Sequence, residues 1–170
     1  MAAGTDEQVT IRHDLRPGDL GRVTELHGVV YAGEFGLDVG FEAYVAETLA
    51  EFVTRSRPDQ GRLWLAEAGG RLVGCVGIVG RDVGAAQLRW FLVDPSQRGS
   101  GLGRRLLDEA LGFGRAAGRR SVYLWTVDLC ADATRMYLAA GFRRTESKPP
   151  ARIWGARCAE ERYDLHLRPG

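Results

Sequence analysis

The apolar positions of this chain recur at two spacings, which predict strands and helices in a definite order. Where apolar residues return every three or four positions, one face of a helix is indicated. Where β-branched and aromatic residues crowd into short runs, a strand is indicated. The predicted strands cover 9–12, 62–67, 71–79, 85–93, 121–127, 142–145 and 161–166, and the predicted helices cover 20–31, 41–55, 102–117 and 131–140.

This order of elements predicts an α+β domain. The three strands between 62 and 93 are joined by short turns such as Gly69-Gly70, so they are expected to form an antiparallel meander. The helix at 102–117 then connects two strands that should run parallel. The expected sheet is mixed and mostly antiparallel, with six to seven strands and about four flanking helices. A doubly wound sheet would instead need strands and helices alternating from the start.

Composition and charge narrow the class of protein. The 170 residues fit a single domain, expected at 9–168 behind a polar, flexible tail at 1–8. A net charge of +1 gives no broad basic surface for nucleic acid. No apolar run approaches the ~18 residues that suggest a membrane span. Neither nucleic acid nor a membrane is therefore expected as a partner.

The cysteines carry information about location. Cys75, Cys130 and Cys158 lack the paired spacing of a disulfide framework or a zinc site. We therefore expect no metal and a reducing, cytoplasmic location. The first residues also lack the apolar core of a signal peptide.

The most informative stretch runs from 87 to 111, where a strand, a glycine loop and a helix follow one another. Asp94-Pro95 ends the strand, because proline lacks a backbone N–H. Glycines in the next loop allow backbone N–H groups to converge on one spot, and the helix start adds further free donors. Such a loop suits a phosphate or pyrophosphate. The residues expected to bind it are Arg98, Gly99, Ser100, Gly101, Leu102, Gly103 and Arg104.

Residue spacing distinguishes the kinds of glycine loop that bind phosphate. A P-loop ends in Gly-Lys-Ser/Thr, which does not occur here. A dinucleotide-binding loop needs a third glycine where this chain has Arg104. The third pattern is Arg/Gln-x-x-Gly-x-Gly/Ala, and Arg98, Gly101 and Gly103 match it. This loop resembles the acetyl-CoA loop of the GNAT acetyltransferase superfamily.

A second motif makes the resemblance specific. Ala133, Tyr137, Gly141 and Phe142 match the GNAT signature Ala-x-x-x-Tyr-x-x-x-Gly-Phe. In that family the tyrosine hydroxyl lies near the cofactor sulfur and protonates the departing thiolate. The resemblance therefore implies the GNAT fold, acetyl-CoA as cofactor and Tyr137 as a catalytic acid. A phenol suits this step, because it can donate a proton to a thiolate or stabilise it by a hydrogen bond.

The resemblance also implies where the cofactor lies. The sheet should splay between its fourth and fifth strands, with pantetheine in the gap and paired with backbone groups near Leu92 and Val93. Cys130 and Ala133 are then expected to lie beside the cofactor. Cys130 stands where the family often has an asparagine, and a thiol cannot replace both the donor and the acceptor of an amide.

The base of the reaction departs from the family pattern. Many GNAT enzymes have a glutamate on the strand before the glycine loop, and Gln87 stands near that position. A glutamine cannot act as a base. Either a carboxylate elsewhere serves, with Glu34 and Glu42 as candidates, or water does.

A closer resemblance covers nearly the whole chain from Val9. The run from His27 to Glu42 and the pair Trp154-Gly155 resemble the acetyltransferase half of bacterial MarR–GNAT fusion proteins and their stand-alone relatives. No winged-helix half precedes this run in the sequence, so DNA binding is not expected. The residues that the resemblance assigns to the acceptor side are His27, Tyr31, Glu34 and Glu42.

Together these patterns predict an acetyl-CoA-dependent N-acetyltransferase that moves the acetyl group directly to a primary amine. No Ser/His/Asp or Cys/His set for an acyl-enzyme is apparent. The alternatives are a catalytically silent acyl-CoA-binding module, which senses the cofactor or regulates a partner, and a nicotinamide-dependent oxidoreductase. The acceptor is expected to be a small-molecule or peptide amine. Because dimers are common among the relatives, a homodimer is also an expectation.

Overall fold

The computed structural model describes residues 8–168, so residues 1–7 of the predicted tail lie outside the described range. Within it the chain forms nine strands and four α-helices, with a short 3-10 helix at Pro95–Gln97. The strands are β1 (Thr10–Arg12), β2 (Gly61–Ala68), β3 (Arg71–Gly80), β4 (Ala85–Val93), β5 (Ser121–Val127), β6 (Arg143–Ser147), β7 (Ala151–Ile153), β8 (Ala156–Cys158) and β9 (Glu160–His166). The helices are α1 (Asp19–Phe35), α2 (Val39–Arg55), α3 (Leu102–Ala116) and α4 (Ala131–Ala139).

Seven of these strands form one sheet in the order β1-β2-β3-β4-β5-β9-β6. All neighbouring strands are antiparallel except β4 and β5, which are parallel. These two pair only over Ala85–Gln87 and Ser121–Tyr123, and beyond Gln87 they diverge. The predicted α+β fold and the splay between the fourth and fifth strands are confirmed. The gap leaves one edge of β4 without a strand partner from Leu88 onward.

Hydrophobic cores cover both faces of the sheet. Leu106 and Ala110 of α3 belong to the same buried cluster as Leu88 of β4. Val45 and Leu49 of α2 belong to a second cluster on the opposite face. Because it is buried on both sides, β3 is apolar almost throughout and does not alternate. In contrast, β4 alternates between half-buried and buried positions up to Trp90. No helix within residues 8–168 combines the length and the apolarity that crossing a bilayer requires.

A β-bulge at Trp90 changes which way the side chains of β4 point. The ladder with β3 shifts by one residue here, and Trp90 has a φ of 47°. Arg89 and Trp90 consequently both lie on the α2 side of the sheet, where they bond to Tyr44 and Thr48. Phe91 lies on the other face, in the core with α3. The bulge therefore sends two consecutive polar-tipped side chains toward the same helix.

The segment from 148 to 159 differs from the prediction, which made it only a connection between strands. It contains the β7–β8 hairpin, which forms a separate two-stranded sheet. The backbone N–H of Asp38 donates to the carbonyl of Trp154 in the hairpin turn at 2.8 Å. The Asp38 carboxylate also caps α2 by accepting from the N–H of Gly40 at 2.9 Å. The hairpin is thereby attached to the turn between α1 and α2.

Candidate active site

Two cavities meet where β4 and β5 diverge. The larger, here called the outer groove, has a volume of about 590 Å³ and extends from the glycine loop to α4. The smaller, here called the inner cavity, has a volume of about 130 Å³ and lies between α1, α2 and the splayed strands. Tyr31, Phe91 and Cys130 line both cavities. These three residues therefore mark the junction between them.

The glycine loop presents free backbone donors to the outer groove. Gly99 and Gly101 have φ values of 79° and 83°, in the left-handed region that favours glycine. Gly101 is the N-cap of α3, no side chain caps the helix, and its first turn contains no acidic residue. Among the described residues, the N–H groups of Gly103 and Arg104 have no hydrogen-bond acceptor. Free donors at the positive end of a helix suit an anionic group such as pyrophosphate.

Most residues predicted to bind the cofactor line the outer groove. The exception is Ser100, whose hydroxyl donates to the carbonyl of Gln97 at 2.6 Å and stabilises the loop itself. The predicted residues that do line the outer groove are Leu92, Val93, Arg98, Gly99, Gly101, Leu102, Gly103, Arg104, Cys130 and Ala133.

Glu34, a predicted base, lies in the outer groove and not in the inner cavity. Its two carboxylate oxygens accept from Arg98 at 2.6 and 3.0 Å. This bidentate bond raises the pKa of the Arg98 guanidinium above its ordinary value. Asp132 lies 3.9 Å from the same guanidinium. Glu42, the other candidate, lines neither cavity and instead packs beside Gly28 of α1.

Tyr137 lines the inner cavity close to the junction. Its side chain is buried, and burial raises the pKa of its hydroxyl above the ordinary value. Within the described residues, that hydroxyl has no hydrogen-bond partner, yet it is not sealed from the cavity. A protonated phenol with a free O–H therefore lies beside the junction, where its ring contacts Phe91 with centroids 5.7 Å apart.

Cys130 and Tyr31 form the polar part of the junction. The Cys130 thiol interacts with the side chains of Tyr31 and Thr126, and burial raises the pKa of the thiol. Burial also raises the pKa of Tyr31 well above its ordinary value. Both groups are therefore neutral at physiological pH. They can offer hydrogen bonds without adding charge to the junction.

His27 lies in the inner cavity as a neutral imidazole. Its Nδ1 lies 2.8 Å from the carbonyl oxygen of Val23, so Nδ1 carries the proton and donates it. Only 3% of the residue is exposed, and this burial lowers the pKa of His27 to about 4. The ring stacks on Tyr31 with centroids 6.0 Å apart. Nε2 is then an acceptor that is free of protons at neutral pH.

Aromatic side chains make a large part of the inner cavity's wall, and sequence analysis assigned only Tyr31 and Tyr137 of them to the site. Trp154, at the tip of the β7–β8 hairpin, packs on Phe41 and Tyr44 with centroids 5.1 Å apart in each case. Its φ of 48° lies in the left-handed region, which a tryptophan seldom adopts. The sequence signal for this turn was the Trp154-Gly155 pair. The aromatic residues lining the cavity are Tyr31, Phe41, Tyr44, Trp90, Phe91, Trp125, Tyr137 and Trp154.

Comparison with known proteins agrees with this geometry. The profile of the acetyltransferase (GNAT) family matches residues 30–142. The chain belongs to the GNAT family. It is thus a GNAT-type N-acetyltransferase, and acetyl-CoA is the cofactor that this family uses.

Two relatives illustrate the extent of the similarity. An uncharacterised N-acetyltransferase of Schizosaccharomyces pombe is 31% identical over 118 residues, which is 68% of this chain and 72% of the relative. N-acetyltransferase 8F1 of Rattus norvegicus is 32% identical over 111 residues, which is 61% of this chain. The GNAT chain described here spans only 50% of the rat protein.

Solved structures share the fold at low sequence identity. A GNAT acetyltransferase of Staphylococcus aureus superposes with a TM-score of 0.77 at 20% identity, covering 95% of this chain and 100% of that one. A GNAT acetyltransferase of Elizabethkingia anophelis, solved with acetyl-CoA bound, gives a TM-score of 0.67 at 16% identity, covering 94% and 98% of the two chains. At these identities the likeness concerns the fold.

Proposed function

We propose that residues 9–168 act as one N-acetyltransferase domain that transfers an acetyl group directly to a primary amine. Acetyl-CoA would lie in the outer groove and the amine acceptor in the inner cavity. The adjacency of the two cavities, which share Tyr31, Phe91 and Cys130 in their linings, is the observation that carries this proposal. An amine entering from the inner side meets a thioester that arrives from the outer side.

Backbone groups hold the cofactor in this proposal. The free N–H groups of Gly103 and Arg104 bind the pyrophosphate. The open edge of β4 near Leu92 and Val93 pairs with the amides of pantetheine, as an added strand would. When bound, acetyl-CoA supplies an activated acetyl thioester at the junction.

Tyr137 is the proposed acid. The amine nitrogen forms a bond to the thioester carbonyl carbon, and the carbon–sulfur bond breaks with its electron pair on sulfur. The free O–H of Tyr137 donates to that sulfur as its charge grows. Because burial raises the pKa of the phenol, the hydroxyl stays protonated until the thiolate forms. Its contribution begins as a hydrogen bond and is completed by proton transfer.

Glu34, acting through water, is the proposed base. It lines the outer groove together with Tyr31, whereas Glu42 lines neither cavity. In the structure its carboxylate is held by Arg98 at 2.6 Å. A pyrophosphate in the groove offers Arg98 a stronger anionic partner, and the exchange frees the carboxylate to accept a proton. Glu34→Gln should then lower turnover near neutral pH, where the acceptor amine is mostly protonated, and turnover should recover at alkaline pH, where free amine is abundant. An unchanged pH–rate profile would assign the proton to water alone.

The first test is a calorimetric titration with acetyl-CoA, with desulfo-CoA and NAD as controls. The proposal predicts that both CoA ligands bind and that NAD does not. A screen of primary amines, with acetylated product measured by mass spectrometry, then tests transfer. Failure of both CoA ligands to bind would remove the assignment of the outer groove, and binding without any acetylated amine would remove the transferase role.

Two observations favour a second candidate, a silent acyl-CoA-binding module. Gln87 stands where the family often has a catalytic glutamate, and its side-chain oxygen is held by Arg81 at 2.8 and 3.0 Å. Cys130 replaces the amide that often contacts the cofactor. Slow hydrolysis of acetyl-CoA, unaffected by any amine in the screen, is the result that this candidate predicts.

Further proposals concern the context of the protein. The run from His27 to Glu42 supports kinship with the acetyltransferase half of MarR–GNAT fusion proteins. The cysteines Cys75, Cys130 and Cys158 are all free, which supports a reducing, cytoplasmic location. A homodimer is proposed because dimers are common among relatives. Analytical ultracentrifugation at micromolar concentration measures the oligomeric state directly.

A further inference from the structure

An arginine lies in the inner cavity without a carboxylate partner. Arg89 lines the cavity, and no Asp or Glu among residues 8–168 lies within salt-bridge distance of its guanidinium. Among the described residues Arg62 and Arg119 are also half-buried without a carboxylate partner, but neither lines the inner cavity. Arg12, Arg22, Arg98 and Arg162 each bond to at least one carboxylate. A guanidinium that is partly withdrawn from water and unpaired leaves donors available for a ligand.

The fold holds this guanidinium in place. The bulge at Trp90 turns Arg89 toward α2, where it donates to the hydroxyl of Tyr44 at 2.7 Å. The guanidinium carbon lies 5.1 Å from the centre of the Trp90 ring and 5.7 Å from that of Tyr44. These contacts take few of the five N–H donors of an arginine. Burial also lowers the pKa of Arg89, and the more distant carboxylate of Glu51 offsets only part of this effect.

The carboxylates near the cavity are already paired with other cations. Glu160 is the carboxylate that lines the inner cavity, and it accepts from Lys148 at 3.0 Å. Arg81 bonds only to the uncharged amide of Gln87, so it adds positive charge beside the cavity. Glu51, on the α2 face nearest Arg89, bonds to Arg55 at 3.0 Å. The inner cavity therefore has a positively charged site beside several aromatic side chains.

We propose that the acceptor is a small amino acid-like molecule, whose carboxylate binds Arg89 and whose amine receives the acetyl group. This inference rests on the proposed function and specifies its substrate. The aromatic wall accommodates an apolar side chain. The volume of about 130 Å³ and the cover formed by Trp154 favour a small molecule over a protein chain.

Binding to the CoA-saturated protein tests the proposal separately from turnover. The probes are L-phenylalanine, L-methionine and L-leucine, each compared with its primary amide, which keeps the amine and the side chain but removes the negative charge. At least one acid should bind about tenfold to a hundredfold more tightly than its amide, the usual effect of a hydrogen-bonded ion pair. Equal or tighter binding of all three amides, or no millimolar binding by any of the acids, would overturn the proposal.

Matched variants show whether Arg89 causes the preference. Arg89→Gln should abolish the preference for the acid while leaving the affinity for acetyl-CoA within about twofold. Arg57→Gln, which removes an arginine that is 72% exposed and paired with Asp59, should leave the preference intact. Tyr44→Phe removes the hydroxyl that orients Arg89 and should weaken the preference several-fold. A preference that survives in Arg89→Gln would refute the assignment of the residue.

The same compounds distinguish this inference from the proposed function. If the acids bind through Arg89 but no acetylated product forms, the transferase proposal fails and the anion site stands. If the primary amides are acetylated as rapidly as the acids, and Arg89→Gln changes neither rate, the transferase proposal stands. The substrate class proposed here then fails.

Discussion

The buried imidazole of His27 should make the stability of the protein depend on pH in a narrow window. Burial lowers the pKa of His27 in the folded chain to about 4, against an ordinary value of 6.5. Between these two values the unfolded chain binds a proton that the folded chain does not. The free energy of unfolding must therefore fall as the pH falls from 6.5 toward 4, and be fully present above 6.5.

The size of this effect follows from the shift. Each unit of pKa difference is worth about 1.4 kcal/mol, and the interval from pH 6.5 to 5 spans about 1.5 units. His27 should therefore cost the folded state about 2 kcal/mol at pH 5 relative to pH 7.5. Carboxylates contribute little to the change in unfolding free energy between pH 6.5 and 5. Glu67, for example, changes its protonation only below its ordinary pKa of 4.5.

The assay is urea unfolding at pH 7.5 and pH 5, followed by tryptophan fluorescence. His27→Asn retains an N–H that can donate to the carbonyl of Val23 but removes the titration. The variant should lose less stability than the wild type between the two pH values, by about 2 kcal/mol. His13→Gln removes a histidine outside the site and is the control. Parallel losses in wild type and His27→Asn would refute the reasoning, as would an equal change in the control.

Three further predictions test the site and the fold. Tyr137→Phe should lower kcat by about a hundredfold or more while changing the Kd for acetyl-CoA less than about twofold; unchanged turnover at neutral pH would remove the residue from the acid role. Gly101→Val should weaken acetyl-CoA binding by about tenfold or more, because a β-branched residue is strained at a φ of 83°. The control is Gly112→Ala, in the middle of α3, which should bind acetyl-CoA as the wild type does. Glu67→Gln should destabilise the fold by about 1–3 kcal/mol at pH 7, because Glu67 accepts from Arg12 on β1 at 3.0 Å. Since Arg12 holds the pKa of Glu67 at about 2, the difference in unfolding free energy should shrink as pH falls from 4.5 toward 2; a difference that stays constant over that range would contradict the ion-pair account.

The region from β4 to α3 could be predicted because its signals are local. Apolar residues, a proline stop and glycines follow one another within about 25 positions, and each acts on its immediate neighbours. The prediction of Leu88–Val93 as a strand and of a helix from Leu102 agrees with the structure. The bulge at Trp90 could not be foreseen, because nothing in its sequence favours a positive φ.

The positions of the acceptor-side residues show a different limit of sequence reasoning. His27, Tyr31 and Glu34 share one face of α1, as their spacing predicts. Sharing a face of the helix does not fix the position along the helix axis, however, and the seven residues from His27 to Glu34 span about 10 Å along it. His27 consequently lies in the inner cavity, Tyr31 at the junction and Glu34 in the outer groove.

The β7–β8 hairpin was not predicted, because the contacts that stabilise it come from residues distant in sequence. Each strand has three residues, too few for a recognisable period. The hairpin is stabilised by Asp38 and by the aromatic contacts of Trp154 with α2, which are more than 100 residues away in sequence. Arg89 was missed for a related reason, since only the three-dimensional structure shows that it has no partner.

The β7–β8 hairpin is separate from the main sheet, and this affects how acceptor specificity can change between homologues. The hairpin forms no ladder with the seven-stranded sheet, yet its tip supplies part of the inner cavity wall. Its length and sequence can therefore vary without disturbing the strands that carry the glycine loop. If the inner cavity binds the acceptor as proposed, exchanging the hairpin between homologues should change the acceptor while leaving the affinity for acetyl-CoA unchanged, because the hairpin contributes no residue to the glycine loop.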